Sequence, residues 1–221
     1  MPRPVAGYHP LVSSVAELLE QRLRLFDGIE SLPPPDGLGF VRDSGSHEYR
    51  LEEPGMNSWA LHFSSRIARK VHLEVTRLGP AFAYVHAMVF PQLDRALPMF
   101  GVDVNATPKK VTLAVFHLYP SPGEMLPPGL ERIRRRLKES EFAKHRPLPE
   151  WGEVFQSGAC AIVQPQSPAE ETQYLSLVRS FIDGFLRASS ATPSRSDLKD
   201  QIAERQTHYS RHKRRNTGGS K

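Results

Sequence analysis

The sequence predicts an α/β fold in which a largely antiparallel sheet is covered by helical layers. Three observations lead there. Short stretches rich in β-branched and aromatic residues run from Phe40 to Leu118, helical periodicity brackets them on both sides, and the links between them are too short for crossover helices. Short links also argue against a doubly wound nucleotide-binding sheet, whose parallel strands need a helix between them. The fragment Gly37-Leu38-Gly39 opens like a dinucleotide fingerprint but carries Arg42 where the third glycine belongs.

The elements follow in order. Leu11 to Phe26 places Leu11, Val15, Leu18, Leu19 and Leu23 at helical spacing; Ser13 or Ser14 is expected to cap the helix, and Asp27-Gly28 to stop it. Ser31 to Gly39 reads as a Pro/Gly loop. The clearest strands are Val71 to Leu78, Phe82 to Phe90, Met99 to Asn105 and Val111 to Leu118. Helices are expected over Leu130 to Phe142, Pro168 to Ala188 and Ser196 to Arg215, with a short strand at Ala159 to Val163. Ser167-Pro168 with Glu170 and Glu171 is a strong helix start, since proline suits the first turn and carboxylates favour the positive dipole end.

A chain of 221 residues suits a single domain, expected over 1–216 with a frayed polar tail at 217–221. A formal charge of +5 favours an acidic partner without choosing among nucleic acid, a carboxylate-bearing small molecule and an acidic protein. One cysteine, Cys160, excludes an intrachain disulfide and is expected to be an inert buried thiol. No stretch approaches the roughly 18 apolar residues of a membrane span, so a cytoplasmic protein without membrane contact is expected.

Strand alternation selects the chemistry. His72, Glu74 and Thr76 share one face of their strand while Val71, Leu73 and Val75 share the other. On the next strand Phe82, Tyr84, His86, Met88 and Phe90 lie together, and His86 alone among them titrates near neutrality. Asp103 stands between Val102 and Val104, just after Gly101, where the missing side chain would admit a flat ligand. Given suitable register, Glu74, His86 and Asp103 line one pocket, and unequal surroundings separate their proton affinities for acid/base work. The plainer alternative is a satisfied core histidine with two solvated carboxylates. Two basic clusters, Arg132 to Lys138 and His208 to Arg215, read first as solvated helix faces and otherwise as docking surfaces. His208 and His212 have zinc-compatible spacing, but no neighbouring ligand completes a site and no metal is expected.

Arg69-Lys70-Val71-His72-Leu73-Glu74, His86 followed by Val89-Phe90-Pro91, and Leu97 through Asp103 resemble the centre of the ferredoxin-dependent bilin reductases, in residues and in mutual spacing. Leu148 to Phe155 and Tyr209 to Asn216 resemble that family's segments after the sheet and over the pigment. The resemblance implies a three-layer α/β/α sandwich and reduction of biliverdin to a phytobilin, with phycocyanobilin favoured because Glu74 and His86 are both present. Asp103 and His86 would supply protons, Glu74 would serve vinyl reduction, and His72 would sit in the hydrogen-bond network behind His86. Thr112, Arg146 and Asn216 would hold the pigment, the first two near its propionates. No bound cofactor is implied; electrons would come singly from reduced ferredoxin, an acidic protein suited to the Arg132–Lys138 helix. A monomer that binds no nucleic acid is expected. Other readings are a bilin binder without turnover, a reductase giving another phytobilin such as phycoerythrobilin, and, on the last helix alone, a nucleic-acid-binding domain.

Two departures from the family pattern bear on the pocket. His117-Leu118-Tyr119-Pro120 replaces Asp-Leu-Ser-Pro. After Asn216 the family's lysine-containing stretch and further helix give way to Thr217-Gly218-Gly219-Ser220-Lys221, a departure that bears on propionate binding and pocket closure.

Overall fold

Alternating sequence and tight turns give the sheet, and its apolar face gives the helices their place. A computed structural model describes residues 8–33, 41–42, 47–119, 126–147 and 159–217. The elements run α1 (Pro10–Leu23), β1 (Glu30–Ser31), β2 (Val41–Arg42), β3 (Glu48–Glu53), β4 (Met56–Ser64), β5 (Ala68–Leu78), β6 (Phe82–Pro91), β7 (Met99–Thr107), β8 (Lys110–Tyr119), α2 (Pro128–Lys138), β9 (Ala159–Val163), α3 (Pro168–Ala191), a 3-10 turn (Ser196–Leu198) and α4 (Lys199–Thr217). The nine strands form one sheet in the order β2-β3-β4-β5-β6-β7-β8-β9, with β1 beside β4. Every described pairing is antiparallel. Gly55 (φ 80°) and Gly79 (φ 56°) adopt the left-handed conformation that the β3–β4 and β5–β6 turns demand.

One sheet face is apolar and carries the main core. Val71, Leu73, Val85, Phe100, Val102 and Phe116 pack there against Leu18 and Leu19 of α1 and against Val178, Phe181 and Phe185 of α3, all at most 3% exposed. Burying each such side chain contributes about 1.5–3 kcal/mol. Leu130, Ile133 and Leu137 bring α2 into the same layer. Gly184 permits its close crossing with α3, because a Cβ there would meet Ile133 Cδ1 at 2.7 Å. On the opposite face, among the described residues, lies α4, with Tyr209 among Met88, Phe90, Met99 and Tyr119. The result is the α/β/α sandwich, with α1 to α3 on one side and α4 on the other.

Several boundaries differ from the sequence reading. Helix α1 begins earlier, with Pro10 in its first turn and the His9 side chain, rather than Ser13 or Ser14, accepting from Leu11 N at 3.3 Å. It ends at Leu23, short of Phe26. Strand β9 and the start of α3 lie where expected, and Ser167 Oγ accepts from Glu170 N. The expected last helix opens as the 3-10 turn and runs on through Thr217. The Gly37-Leu38-Gly39 fragment, the Leu148 to Phe155 segment and residues 218–221 lie outside the described residues.

Candidate active site

Register decides the site. Antiparallel pairing sets Glu74 opposite His86 and His86 opposite Asp103, so that β5, β6 and β7 place the three in one straight row across the sheet. Residues directly opposite share a face. The row therefore lies on the face turned away from α1, α2 and α3, because its neighbours in sequence, Leu73, Val75, Val85, Val102 and Val104, fill the core.

The three side chains form two linked units. His86 Nδ1 lies 2.5 Å from Asp103 Oδ1, and the side chains of His86 and Asp103 remain 18% and 29% exposed. Asp103 is the more open of the pair and so the better placed to meet a ligand. Glu74 sits deeper. Its Oε1 accepts from the Tyr84 hydroxyl at 2.5 Å, from Thr76 Oγ1 at 2.7 Å and from Ser58 Oγ at 3.3 Å, while His72 Nε2 approaches Oε2 to 3.3 Å. The His72 ring bridges the units, 5.8 Å from the His86 ring between centroids. Behind it His62, paired with His72 in register, stands 5.6 Å away.

Burial and hydrogen bonding act in opposite directions on this face. Burial depresses the proton affinity of His72 below the ordinary histidine value, outweighing the hydrogen bond to Glu74 that would raise it, so its imidazole is neutral at neutral pH. Burial brings His62 down to about 4. For Glu74 burial alone would raise the carboxyl, yet the hydrogen bonds from His72, Tyr84 and Thr76 hold it down at about 2. Among these the His72 hydrogen bond lowers it most, ahead of those from the Tyr84 and Thr76 hydroxyls. Burial and the Glu74 carboxylate push Tyr84 up, leaving its hydroxyl fully protonated.

A second polar rung lies two residues along, where His72, Met88, Gly101, His117 and Cys160 face one another across β5 to β9. His117 is 4% exposed, and its Nε2 lies 2.9 Å from the Tyr209 hydroxyl of α4. Its ring occupies the space above Gly101, where a Cβ would collide with it and with Met88 Sδ. Gly101 thus makes room for His117, not for an open ligand surface as the sequence reading had it. Helix α4 is held further by Gln206, which donates to Pro91 O at 3.0 Å and accepts from Arg69, and by Arg205 over the Tyr119 ring. Cys160 is half-buried, and burial pushes its thiol up to about 12, which keeps it protonated and unreactive.

The remaining candidates fall elsewhere. Thr112 is the extra residue at the β7–β8 bulge, with Oγ1 donating to Asn105 O at 3.0 Å, and the exposed Arg146 donates to Thr112 O at 3.3 Å. The two are therefore neighbours at the Asn105 end of the face. The backbone of Asn216 belongs to α4, while its side chain lies outside the described residues. Helix α2 exposes Arg132, Arg135 and Arg136, and Arg134 pairs with Glu131 at 2.5 Å. Sequence reasoning gave the row and His72 but missed the tie from Tyr84 to Glu74, the contribution of Ser58 and the partnership of His117 with Tyr209. Tyr84 was legible as a face-mate of His86; Ser58 and Tyr209 depend on pairings no local pattern reveals.

The family model of the ferredoxin-dependent bilin reductases matches residues 16–219. This chain belongs to that family. It is 30% identical over 210 residues, covering 94% of this chain and 83% of the relative, to a phycocyanobilin:ferredoxin oxidoreductase of Trichodesmium erythraeum. A protein of the same name from Gloeobacter violaceus is 31% identical over 222 residues, covering 97% and 83%. Among solved structures, tomato phytochromobilin synthase in complex with biliverdin superposes with a TM-score of 0.58 at 13% identity, over 86% of this chain and 67% of the other, and so supports the fold. The chain is thus a ferredoxin-dependent bilin oxidoreductase by family, built on the α/β/α sandwich.

Proposed function

We propose that this bilin reductase converts biliverdin to phycocyanobilin on the sheet face carrying Glu74, His86 and Asp103. The observation that carries the reading is the in-register row itself: three titratable groups from three adjacent strands meet on the side of the sheet away from the apolar core. Each reduction of a pigment double bond consumes two electrons, delivered one at a time by reduced ferredoxin, and two protons. An added electron makes the conjugated tetrapyrrole more basic, and a positioned acid then protonates it without a diffusional encounter. Asp103 is the proton donor at the pigment, and His86 replenishes it across the 2.5 Å contact. His72 orients Glu74, and Glu74 serves the vinyl group. Thr112 and Arg146 hold the propionates, and Asn216 contacts the pigment. A hydroxyl and a guanidinium suit carboxylates.

In this reading the protein needs no resident flavin, nicotinamide or metal and acts as a cytoplasmic monomer. Among the described residues no helix is long and apolar enough to cross a membrane. Ferredoxin docks through basic surface, and Arg132 to Lys138 on α2 is the proposed contact. Helix α2 belongs to the layer on the core side of the sheet, so an electron entering there crosses the sheet to reach the pigment. Reversing the charge of Arg132, Arg135 and Arg136 together slows ferredoxin-driven turnover at low salt if that contact is used.

A second reading, a bilin binder without turnover, draws support from the His117 ring, held by the Tyr209 hydroxyl, filling the space above Gly101. One anaerobic experiment separates the two. Biliverdin, reduced ferredoxin and a reductase system are added, and the absorption spectrum is followed to an identified product. Conversion to phycocyanobilin supports the enzyme; a spectral shift on binding with no later conversion leaves the binder.

A further inference from the structure

Tyr174 places a hydroxyl where its helix face is otherwise apolar. With Leu177, Val178 and Phe181 it forms the stripe of α3 that meets the sheet, and it is 2% exposed. A hydroxyl buried in such a layer is unfavourable unless it is bonded. The hydroxyls of Thr172, Ser180 and Ser189 donate back to carbonyls of their own helix, at Pro168, Ser176 and Leu186. That of Tyr174 crosses to the sheet instead, donating to Val115 O at 2.7 Å and standing 3.4 Å from Asp103 O. Burial, and after it the Asp103 charge, push its proton affinity well up, so the hydroxyl stays protonated and remains a donor.

Asp103 and Val115 are directly paired in register. The hydroxyl therefore grips the β7–β8 pair from the core side, at the rung whose Asp103 side chain projects to the other face against His86. We propose that Tyr174 is a positioning residue for the Asp103–His86 pair, pinning from behind the rung that carries the carboxylate. The inference rests on the functional reading above and adds to it a group that touches neither the pigment nor the transferred proton.

Support from behind matters because the pair spans two strands. His86 Nδ1 and Asp103 Oδ1 are 2.5 Å apart, one from β6 and one from β7, so any movement of β7 against β6 changes their separation directly. Misplacing a reacting group by about 1 Å costs about 100-fold in rate, and a fraction of that displacement costs about three- to thirtyfold. The Tyr174 ring is packed within the apolar layer, so deleting the hydroxyl alone leaves that packing in place.

Tyr174→Phe tests this because it keeps the ring and removes the donor. In protein labelled at histidine nitrogen, the His86 Nδ1 resonance, assigned by its loss in His86→Gln, is expected to move from the parent's position toward that seen in Asp103→Asn. Val178→Ala, a packing lesion on the same helix face, is expected to leave it in place. In anaerobic turnover of biliverdin, kcat is expected to fall about three- to thirtyfold in Tyr174→Phe while pigment affinity is unchanged. An unmoved resonance, or an equal movement in Val178→Ala, overturns the positioning role; a moved resonance with unchanged kcat overturns its part in the reaction. Should Tyr174→Phe not fold, fluorotyrosine placed at position 174, a donor of altered strength and nearly the same shape, takes its place: a moved resonance supports the role and an unmoved one overturns it. Absence of any turnover by the unaltered protein defeats the functional reading, whereas the nitrogen resonance still decides whether Tyr174 positions the pair.

Discussion

Adding one methyl group at Gly101 should loosen α4 from the sheet. A Cβ there collides with the His117 ring and with Met88 Sδ. The ring has little freedom to yield, being 4% exposed and tied to the Tyr209 hydroxyl at 2.9 Å. Overpacking of this kind costs about 1–3 kcal/mol, and for a chain of this size that lowers the melting temperature by about 2–12 °C. His117→Ala alone should also destabilise, by about 1–3 kcal/mol, since it strips the buried Tyr209 hydroxyl of its ring partner. The two changes together should be less harmful than their sum, because the new methyl enters the space the imidazole vacates. The expected coupling is about 1–3 kcal/mol, read from thermal or denaturant unfolding of the four proteins in the cycle. Strict additivity, or a Gly101→Ala protein as stable as the parent, would refute the claim that His117 is seated in the glycine's gap.

Two further outcomes follow from the site. Asp103→Asn keeps the shape of a partly exposed side chain and removes the acid, so biliverdin binding should persist while product formation falls about 100- to 10,000-fold; unchanged turnover removes Asp103 from the proton path. His62 is held neutral in the fold with its affinity lowered to about 4 from an unfolded value of 6.5. The unfolded chain thus binds the extra proton between those limits, so stability is complete above about pH 6.5 and declines as pH falls toward 4. In His62→Leu that decline should shrink, by up to roughly 3 kcal/mol at pH 4, when urea unfolding is compared at pH 7 and pH 4. A slope identical to the parent's contradicts the assignment. Glu74, lowered from 4.5 to about 2, has begun to contribute by pH 4, but equally in parent and variant, so it cancels in the comparison.

Much of the fold was legible because period and spacing are local properties. The alternation of Val71, Leu73 and Val75 with His72, Glu74 and Thr76 fixes which side of β5 meets the helices, and the core confirms it. Ser167-Pro168 marks the start of α3 for the same local reason. The row Glu74–His86–Asp103 needed register, and register depends on the turn at Gly79 and on the whole apolar face docking at once. Sequence alternation narrowed it to two phases; packing chose one. What stayed hidden came from contacts distant along the chain. Tyr209 and His117 meet across 92 residues, and Ser58 reaches Glu74 from a strand whose pairing the local pattern does not specify. The glycine at 101 was misread for the same reason: it signalled a close approach correctly, but the visitor is an imidazole from β8.

The position of bound biliverdin tests the central claim most directly. In a crystal structure of the complex the pigment should lie against the face bearing Glu74, His86 and Asp103, with pyrrole nitrogens within hydrogen-bond distance of the Asp103 carboxylate. A tetrapyrrole found on the α1–α3 side of the sheet, or away from the row altogether, would contradict the account.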